Sequence, residues 1–565
     1  MKKYKFVAMV VFSFMVVLFS SQVVFAHGWS APSKWGVSGN TIYPLNNKFV
    51  SSNNLSIGVA GTMGFGVSKA PALPAGFTAL SGHDDPYSPN YGNYQYADGS
   101  IMVWIPKFYY FVHDGTTLPV NTIEIRGTDY FASTAAANAT GYALHRAFID
   151  GGAEKAGFFF DKYKASKAAS GTGWIASSIA SGNPISTSST HNPIADLTSA
   201  GGTNACYRAI DAAHARDGVN GAVNANSIFH VGSRFQYGAL AMLSLAHAQA
   251  SAAATPANAW YNSSSNFPKG CNNNALADTN DTSVLYVSDG YANACKTGSG
   301  KPFAKTTHNG QASGVADLNG VMHEISLGMT AIATTVAIEG LSRANPCVVT
   351  WTGHGLSTGA YVMIGATAIT QADWVPLTGK IYTVTYINEN SFSLDGVNTS
   401  AFALAYDPGT DPGTISKGAF YVAKQATAMK SFTSGNSGAT DHWGASGVAA
   451  MMDAFMPVFE TAYPNNAWAQ RMGSGTGQVI SPATSGANWV LAGLGFPVGA
   501  SGIDASGTAQ FGLDSYYQYI LNELCLVSIS YWVTSTNAGV WTSTWNSARS
   551  ASLDSVGFRA ACYPD

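Results

Sequence analysis

Charged residues are scarce in this sequence. Asp, Glu, Lys and Arg make up 10% of the 565 residues, against roughly 25% in an average soluble protein. Since 46% of the residues are hydrophobic, the composition does not fit a disordered chain, and the length predicts two or three domains. Low charge with abundant Gly, Ser, Thr, Asn and aromatic residues is typical of a secreted or surface-exposed, loop-rich protein that contains β-structure.

Positive charge is especially limited. The first 26 residues carry three Lys, and without them the chain has 25 basic and 31 acidic residues. A basic stripe that would replace the counterions of a nucleic acid is therefore missing. This balance excludes a nucleic-acid partner.

Long apolar runs are lacking beyond the N-terminus, since no later segment has 18 consecutive apolar residues, and no second membrane span is expected. The N-terminus has three early Lys, an apolar run over residues 6–19, and small residues before Ala26. This order predicts a secretory signal peptide over residues 1–26. The expected location is secreted or cell-surface, with virion association as the alternative. A membrane would be contacted only through an uncleaved signal.

Cysteine is limited to six residues, and no Cys-x-x-Cys pair occurs, which excludes a zinc or thioredoxin-type motif. Export permits disulfides. From proximity in the sequence, we expect Cys271 to pair with Cys295 and Cys525 to pair with Cys562. The alternative is that these are buried free thiols.

Composition divides the remaining chain into an arm, a host domain and an insertion. Residues 27–76 alternate short apolar runs with Gly and Asn, which predicts a β arm for attachment or for contacts within a homo-oligomer. The host domain is expected over residues 77–335 and 418–565. Residues 336–417 hold four or five alternating segments between turn residues, which predicts a small inserted all-β module.

Several host segments have clear local patterns. Residues 101–111 and 157–164 are rich in aromatic and β-branched residues, which predicts strands. Residues 235–250 are rich in helix formers, with Ser233 as the expected N-cap. An apolar stripe over residues 446–462 predicts a further helix.

Residues 531–550 have the most unusual composition. Fourteen of the 20 positions are Tyr, Trp, Thr, Ser or Asn, and three of the chain's 13 Trp lie here. Rigid rings among small hydrogen-bonding side chains are typical of a recognition surface. The alternative is that the Trp side chains pack inward and the polar ones face water. The predicted ligand-binding residues are Tyr531, Trp532, Thr534, Ser535, Asn537, Trp541, Ser543, Trp545, Asn546, Ser547 and Arg549.

Catalytic and cofactor motifs are absent from the sequence. The His323-Glu324 pair lacks the second His of a zinc-binding HExxH motif, because Leu327 occupies that position. We predict no catalytic residue, no cofactor and no metal site, with structural Ca²⁺ as the alternative. The loop carboxylates that would bind Ca²⁺ are the pairs Asp84–Asp85 and Asp278–Asp281.

Three separated segments resemble sulfatase-modifying, formylglycine-generating-like domains, which have a C-type-lectin-type fold. Residues 102–111 resemble their opening strand, residues 313–329 their DlxGNvwEW segment, and residues 550–562 their Ser-rich terminal segment with GFR. The matching residues are Asp317, Leu318, Gly320, Glu324, Ser552, Gly557, Phe558 and Arg559. The resemblance implies an α+β fold of this type, with structural roles for Asp317, Asn319, Gly320, Glu324, Gly557, Phe558 and Arg559.

The sequence departs from the enzymes of that family at their active site. Those enzymes carry a Cys pair shortly before GFR, whereas residues 541–555 contain no Cys. Oxidative Cys chemistry therefore has no nucleophile at the matching place. We expect a protein that is not an enzyme, and a formylglycine-generating-type oxidase is the less favoured alternative.

The C-terminal arrangement resembles more closely the variable proteins of diversity-generating retroelements. These proteins place a hypervariable ligand-binding face on the same fold, just before a GFR-type ending, as residues 531–560 would. The inserted segment resembles short Ig-like β-modules of phage tail-associated proteins. The resemblance implies a secreted or surface-displayed protein that binds a protein or glycan on another cell surface. A phage tail-fibre receptor-binding protein is the alternative.

Overall fold

A computed structural model places most of the chain. It describes residues 35–38, 41–44, 56–250, 260, 267–365, 369–424, 452–455, 470–471, 480–496, 514–521, 524–534 and 538–564. The predicted signal peptide over residues 1–26 lies outside the described residues. Ser535 and Asn537 of the predicted binding surface also lie outside them.

The chain divides into two compact units, residues 1–55 and residues 56–565. In the first unit, β1 (Trp35–Ser38) and β2 (Thr41–Pro44) form an antiparallel hairpin. The predicted arm over residues 27–76 extends too far. Ile57 and Phe65 are fully buried in the core of the second unit, because this stretch supplies apolar side chains to that core.

Strand is the commoner element, at 29% against 14% helix, so the chain belongs to a mixed, β-rich class. The strands between residues 56 and 231 are β3 (Phe77–Ala79), β4 (Asn93–Tyr96), β5 (Ile101–Pro106), β6 (Phe108–Val112), β7 (Ile123–Gly127), β8 (Ala143–Leu144), β9 (Ile149–Asp150), β10 (Ala153–Glu154), β11 (Gly157–Asp161), β12 (Ala165–Ser170), β13 (Gly173–Ser178) and β14 (Phe229–Val231). The later strands are β15 (His323–Ser326), β16 (Met329–Ala337), β17 (Gly340–Leu341), β18 (Val348–Thr350), β19 (Tyr361–Ile364), β20 (Ile381–Asn388), β21 (Ser391–Leu394), β22 (Thr414–Ala423), β23 (Met452–Phe455), β24 (Gln470–Arg471), β25 (Ser515–Gln518), β26 (Leu524–Ser528), β27 (Ser543–Ala548), β28 (Val556–Gly557) and β29 (Ala560–Cys562).

Helices are fewer than strands in the part of the chain described. The α-helices are α1 (Thr134–Asn138), α2 (Arg208–His214), α3 (Arg234–Ala250) and α4 (Gly486–Leu494). Short 3-10 segments are Arg146–Phe148, Ile194–Asp196, Thr198–Ala200, Val219–Gly221, Phe303–Thr306 and Val375–Leu377. None of the helices described is both long and apolar enough to cross a membrane.

Two six-stranded sheets form the centre of the second unit. The first has the order β14-β29-β11-β5-β4-β3, and Phe159 of β11 lies opposite Trp104 of β5. The second has the order β24-β25-β27-β26-β15-β28, and Glu324 of β15 lies between Ser528 and Gly557. The end of the chain therefore contributes to both sheets, through β27 and β28 in the second and β29 in the first.

Each face of the first sheet packs into a different hydrophobic cluster. Side chains alternate across a strand, so Phe158 faces one cluster and Phe159 the other. The cluster around Phe159 also contains Ile325 and Val527 of the second sheet, and this shared core joins the two sheets.

The predicted strands and the helix after residue 233 are confirmed. The segment over residues 101–111 forms β5 and β6, and β5 ends at Pro106. Helix α3 begins at Arg234, where the Ser233 hydroxyl accepts the backbone N–H of Gln236 at 3.3 Å. The helix is buried along most of its length because its Ala, Leu and Met side chains leave it without a polar face.

The helix expected over residues 446–462 is not found where the structure describes that segment. Residues Met452–Phe455 form β23, which pairs antiparallel with β22. A strand partner here overrides the helical propensity of the segment. The rest of the segment lies outside the described residues.

Residues 336–417 have a hydrophobic cluster of their own, which extends from Ile338 to Ile415. Strands β16 and β22 form one long antiparallel ladder, from the pair Met329–Val422 to the pair Ala337–Thr414. The segment thus leaves and rejoins the second unit along a single ladder.

Candidate functional site

The predicted ligand-binding residues lie on the loop after β26 and on β27. The buried ones are Trp532, Trp541, Ser543, Trp545 and Arg549. The half-buried ones are Tyr531, Thr534, Asn546 and Ser547. The prediction that the three indoles contact a ligand is therefore corrected, since they pack inward and leave the half-buried polar residues as the accessible part of the stretch.

Strand β27 alternates between interior and surface. Ser543 and Trp545 are fully buried, whereas Thr544 and Asn546 are partly exposed. This follows from strand geometry, in which neighbouring side chains leave on opposite faces. Trp545 packs in the same cluster as Trp541. The rings therefore anchor this part of the stretch, and the side chains of Thr544 and Asn546 reach the surface.

A buried carboxyl group supports the loop that precedes β27. Asp514 is 2% exposed, and its Oδ2 accepts the backbone N–H of Trp541 at 2.8 Å. Burial raises the pKa of Asp514 to about 8, and hydrogen bonds from the backbone N–H groups of Trp541 and Thr542 and the charge of Arg234 offset burial only in part. The group is therefore mainly protonated at neutral pH.

Five rings form a continuous series of contacts beside the loop after β26, which we call the aromatic ladder. Its members in order are Tyr291, His191, Trp532, Tyr531 and His323. Consecutive ring centroids are 4.3, 6.2, 5.4 and 4.9 Å apart. The ladder connects four segments that are distant in sequence, so the position of Tyr531 depends on all of them.

Hydrogen bonds fix the positions of the His191 and Tyr291 rings in the ladder. Both ring nitrogens of His191 face oxygen acceptors, with Nε2 2.6 Å from Asp289 Oδ2 and Nδ1 2.6 Å from the Asp554 carbonyl. The Tyr291 hydroxyl donates to the Asp554 carboxylate at 2.6 Å. The side chains of His191 and Asp289 are almost completely buried. This network keeps the rings in one arrangement.

The accessible edge of the ladder combines ring faces with hydroxyl groups. We define the ladder face as Thr190, Tyr291, Tyr531 and Val533, all of which are exposed or half-buried. The hydroxyl oxygens of Thr190 and Tyr291 are 3.4 Å apart. Such a surface offers stacking and hydrogen bonding to a ligand from a rigid support.

The other end of the stretch lies against helix α2. The backbone N–H groups of Cys206 and Tyr207 donate to the carbonyls of Ala551 and Arg549, at 3.0 and 3.1 Å. A cavity of about 20 Å³ lies here, with Tyr207, Cys525 and Arg549 in its wall. This volume holds about one water molecule. Contact with a larger ligand in this region would therefore involve the surface residues Asn546 and Ser547.

The residues expected to be structural include an ion pair at the centre of the fold. The Glu324 carboxylate accepts from Lys164 Nζ, from the Tyr237 hydroxyl and from Arg559 Nε, the last at 2.7 Å. Arg559 also donates to the carbonyls of Asp161, at 3.2 Å, and of Lys162 and Ala316. Burial opposes ionisation of Glu324, but the charges of Arg559 and Lys164 outweigh it and lower its pKa.

The other five residues of this group also lie in the interior. Asp317 and Gly320 both have positive φ, at 60° and 67°. A side chain at Gly557 would lie 2.6 Å from the Ile185 carbonyl, so this position requires Gly. Asn319 and Phe558 are at most 1% exposed.

Lysine side chains neutralise one pair of the carboxylates considered for Ca²⁺. Lys269 Nζ is 3.7 Å from Asp278, and Lys305 Nζ is 2.6 Å from Asp281. Burial raises the pKa of Asp278, and Lys269 partly offsets this. Across the described ranges, no group of three or more His, Cys, Asp or Glu residues is arranged to hold a metal ion.

All six Cys residues are buried thiols. Cys271 and Cys295 belong to one hydrophobic cluster, and Cys525 lines a cavity together with Cys206. Cys562 lies on β29 opposite Phe229 of β14 in the first sheet, whereas Cys525 lies on β26 in the second. The two expected disulfides therefore stay predictions.

Sequence reasoning missed several residues of these networks. His191, Asp289 and Tyr291 come from loops without a motif, so no local signal identifies them. Lys164 and Tyr237 support Glu324 from other elements. Lys164 had one signal, because it follows a run of buried aromatic residues in a chain with few charges.

Comparison with known proteins adds no relative to this picture. No protein-family model matches the chain, and no curated protein matches it in sequence.

Proposed function

We propose that this chain is a secreted or surface-displayed ligand-binding protein that recognises a protein or glycan through residues 531–550. The ladder face carries this proposal. Half-exposed rings and hydroxyl groups there rest on a buried network, which lowers the entropy lost when a ligand binds. The partly exposed Asn546 and Ser547 extend the polar surface along the same stretch.

We further propose a C-type-lectin-type fold for the host domain, with an Ig-like inserted module. The three segments that resemble that fold meet around one core. Strand β5 pairs with β11, and Arg559 joins the carbonyls of β11 to Glu324. This convergence supports the resemblance, since unrelated motifs would have no reason to share a buried network.

The proposal includes diversification of the stretch by a retroelement. The half-buried positions are those where side-chain changes alter a surface without disturbing the core. The matching observation is a neighbouring reverse transcriptase with a near-copy of the coding segment that differs only at adenines. If neither is found, diversification is wrong and the binding proposal stands alone.

A phage tail-fibre receptor-binding protein would use the same surface. The two proposed functions therefore differ in where the protein is located rather than in the chemistry of binding.

An oxidase of the formylglycine-generating type has less support. Burial raises the pKa of the Cys562 thiol, and a hydrogen bond with Cys206 together with burial raises that of Cys525. Neither thiol is primed as a nucleophile.

Binding to a glycan array and to intact cells tests the proposal. We expect Tyr531→Ala to weaken any interaction found by about 2 kcal/mol, roughly 30-fold, because it removes a ring from the ladder face. The matched control is Tyr386→Ala, at a Tyr that is 46% exposed in the inserted module. Equal affinity of wild type, Tyr531→Ala and Asn546→Ala for every ligand would rule out this surface.

A further inference from the structure

Two buried thiols meet where the end of the recognition stretch contacts helix α2. Cys206 precedes α2, and Cys525 lies in β26 opposite Ser547 of β27. Both side chains line the cavity of about 20 Å³ and belong to one hydrophobic cluster. The chain thus brings together two Cys residues that are far apart in sequence.

A second thiol pair lies below the other end of the stretch. Cys271 and Cys295 share a hydrophobic cluster with Trp532. The backbone N–H of Asn274 donates to the Trp532 carbonyl at 2.6 Å, so the loop after Cys271 contacts the stretch directly.

We propose that the exported chain carries two disulfides, Cys206–Cys525 and Cys271–Cys295, and that Cys347 and Cys562 remain thiols. In each pair, two S–H bonds break, one S–S bond forms, and two protons and two electrons leave. The electrons reduce the disulfide of an oxidised thiol–disulfide oxidoreductase, or glutathione disulfide, to two thiols. The inference rests on export and on the cavity and hydrophobic clusters that the paired residues share, and it does not require the binding function.

The two remaining Cys residues have different surroundings. Cys347 lies in the core of the inserted module, with its Sγ 3.4 Å from the Ser342 carbonyl. Cys562 lies between Phe159 and Phe229 in the first sheet. Cys562 belongs to the same hydrophobic cluster as Cys206 and Cys525 but is not among the residues that line their cavity.

Burial determines when the oxidation takes place. In the folded chain a hydrogen bond with Cys206, together with burial, raises the pKa of Cys525, and burial raises the pKa of Cys271. Because the thiolate is the reacting species, exchange in the folded state is slow. The disulfides therefore form during folding, and a reduced folded chain oxidises much more slowly than a reduced unfolded one.

The crosslinks hold both ends of the recognition stretch. One joins helix α2 to the sheet beside residues 547–551, and the other stabilises the loops below Trp532. This bracing role rests on the proposed function, whereas the covalent pairing does not. The pairing is therefore tested without any ligand.

Peptide mass spectrometry of the full chain, exported to an oxidising compartment and alkylated without reduction, tests the pairing. Trypsin places Cys206 in residues 168–208, Cys525 in 472–549 and Cys562 in 560–565. We expect peptide 168–208 to be linked to peptide 472–549. Peptide 270–296, which contains both Cys271 and Cys295, should be lighter than its reduced form by two hydrogen atoms. Peptides 344–380 and 560–565 should be alkylated.

Two results would overturn the proposal. A link between peptides 472–549 and 560–565 would restore the pairing expected from the sequence. Alkylation of all six Cys residues would show that the chain is exported with free thiols.

Cys→Ser variants distinguish a covalent crosslink from noncovalent packing of the two thiols. Cys206→Ser should lower the urea midpoint of unfolding relative to wild type, and reduction by dithiothreitol should remove most of that difference. The matched control Cys562→Ser removes a buried thiol that lies outside both pairs, and it should keep the link between peptides 168–208 and 472–549. A difference between Cys206→Ser and wild type that is the same with and without reductant would contradict the proposal.

Discussion

The carboxylate of Glu324 and the guanidinium of Arg559 form a buried ion pair, with Nε and Oε2 2.7 Å apart and both side chains 0% exposed. Glu324 belongs to the second sheet, and Arg559 precedes β29 of the first. One interaction therefore connects the two sheets at the centre of the fold. The net stabilisation by a buried ion pair is modest in general, but removal of Arg559 leaves the buried Glu324 carboxylate with Lys164 as its remaining cation.

We predict that Arg559→Met destabilises the chain by about 3 kcal/mol. The variant retains the volume of the side chain but removes the donor groups that bond to three backbone carbonyls and to the Glu324 carboxylate. Urea unfolding followed by circular dichroism measures the change. Arg343→Met is the control, since Arg343 donates to the exposed carbonyls of Phe402 and Ala403, and it should cost about 0.5 kcal/mol or less. Equal effects of the two variants would contradict a central role for Arg559.

We predict that Trp545→Ala destabilises the chain by about 3–5 kcal/mol, because it removes a fully buried indole from the core. Val533→Ala, at a side chain that is 38% exposed, should change stability by about 0.5 kcal/mol or less. Thermal or urea unfolding compares the two. A stable Trp545→Ala variant that loses only ligand affinity would show that Trp545 belongs to the binding surface.

We predict that Asp514→Asn gains stability relative to wild type as pH rises from about 4 to about 8. The folded pKa of Asp514, about 8, lies above its unfolded value of about 3.9, so its favourable contribution is complete below the unfolded pKa and is lost as pH approaches the folded pKa. Asn does not titrate, and the difference between the two proteins should level off above about pH 8. Urea unfolding at pH 5, 6.5 and 8 measures the difference in free energy of unfolding between the two proteins. A difference that does not change with pH would mean that the folded pKa of Asp514 is not raised.

We predict that His191→Phe accelerates amide exchange in residues 529–534 by about tenfold or more, equivalent to about 1.4 kcal/mol of local stability. Phe can retain the ring contacts with Tyr291 and Trp532 but cannot bond to Asp289 or to the Asp554 carbonyl. Hydrogen–deuterium exchange with mass spectrometry provides the measurement. His354→Phe, at a buried His in the inserted module, should leave these residues unchanged.

Local sequence patterns predicted the correct secondary structure for elements in which apolar side chains recur with a single period. The aromatic run of β5, β6 and β11 and the helix formers of α3 predict their own conformations because each signal is contained within the element. The local sequence pattern failed at Met452–Phe455, where a segment with a helical apolar pattern forms a strand beside β22. The pairing partner is distant in sequence, so the local pattern contains no trace of it.

The candidate site illustrates the same limit. Composition drew attention to residues 531–550, but whether a Trp faces the core or a ligand depends on the neighbouring elements. The aromatic ladder depends on His191 and Tyr291, which no motif marks. Cys525 likewise lines a cavity with Cys206, because the fold rather than distance along the chain determines which thiols are neighbours.

Buried and exposed side chains alternate along β27, and this alternation determines which insertions the strand can accept. Thr544 lies opposite Val527 of β26 and beside Tyr517 of β25, so the strand is held on both edges. Insertion of one residue before Ser543 would shift the phase of the strand and turn Trp545 toward solvent. Insertion of two would restore the phase. We therefore expect substitutions at Thr544 and Asn546, and length changes in steps of two, to be the routes by which this stretch varies while the protein still folds.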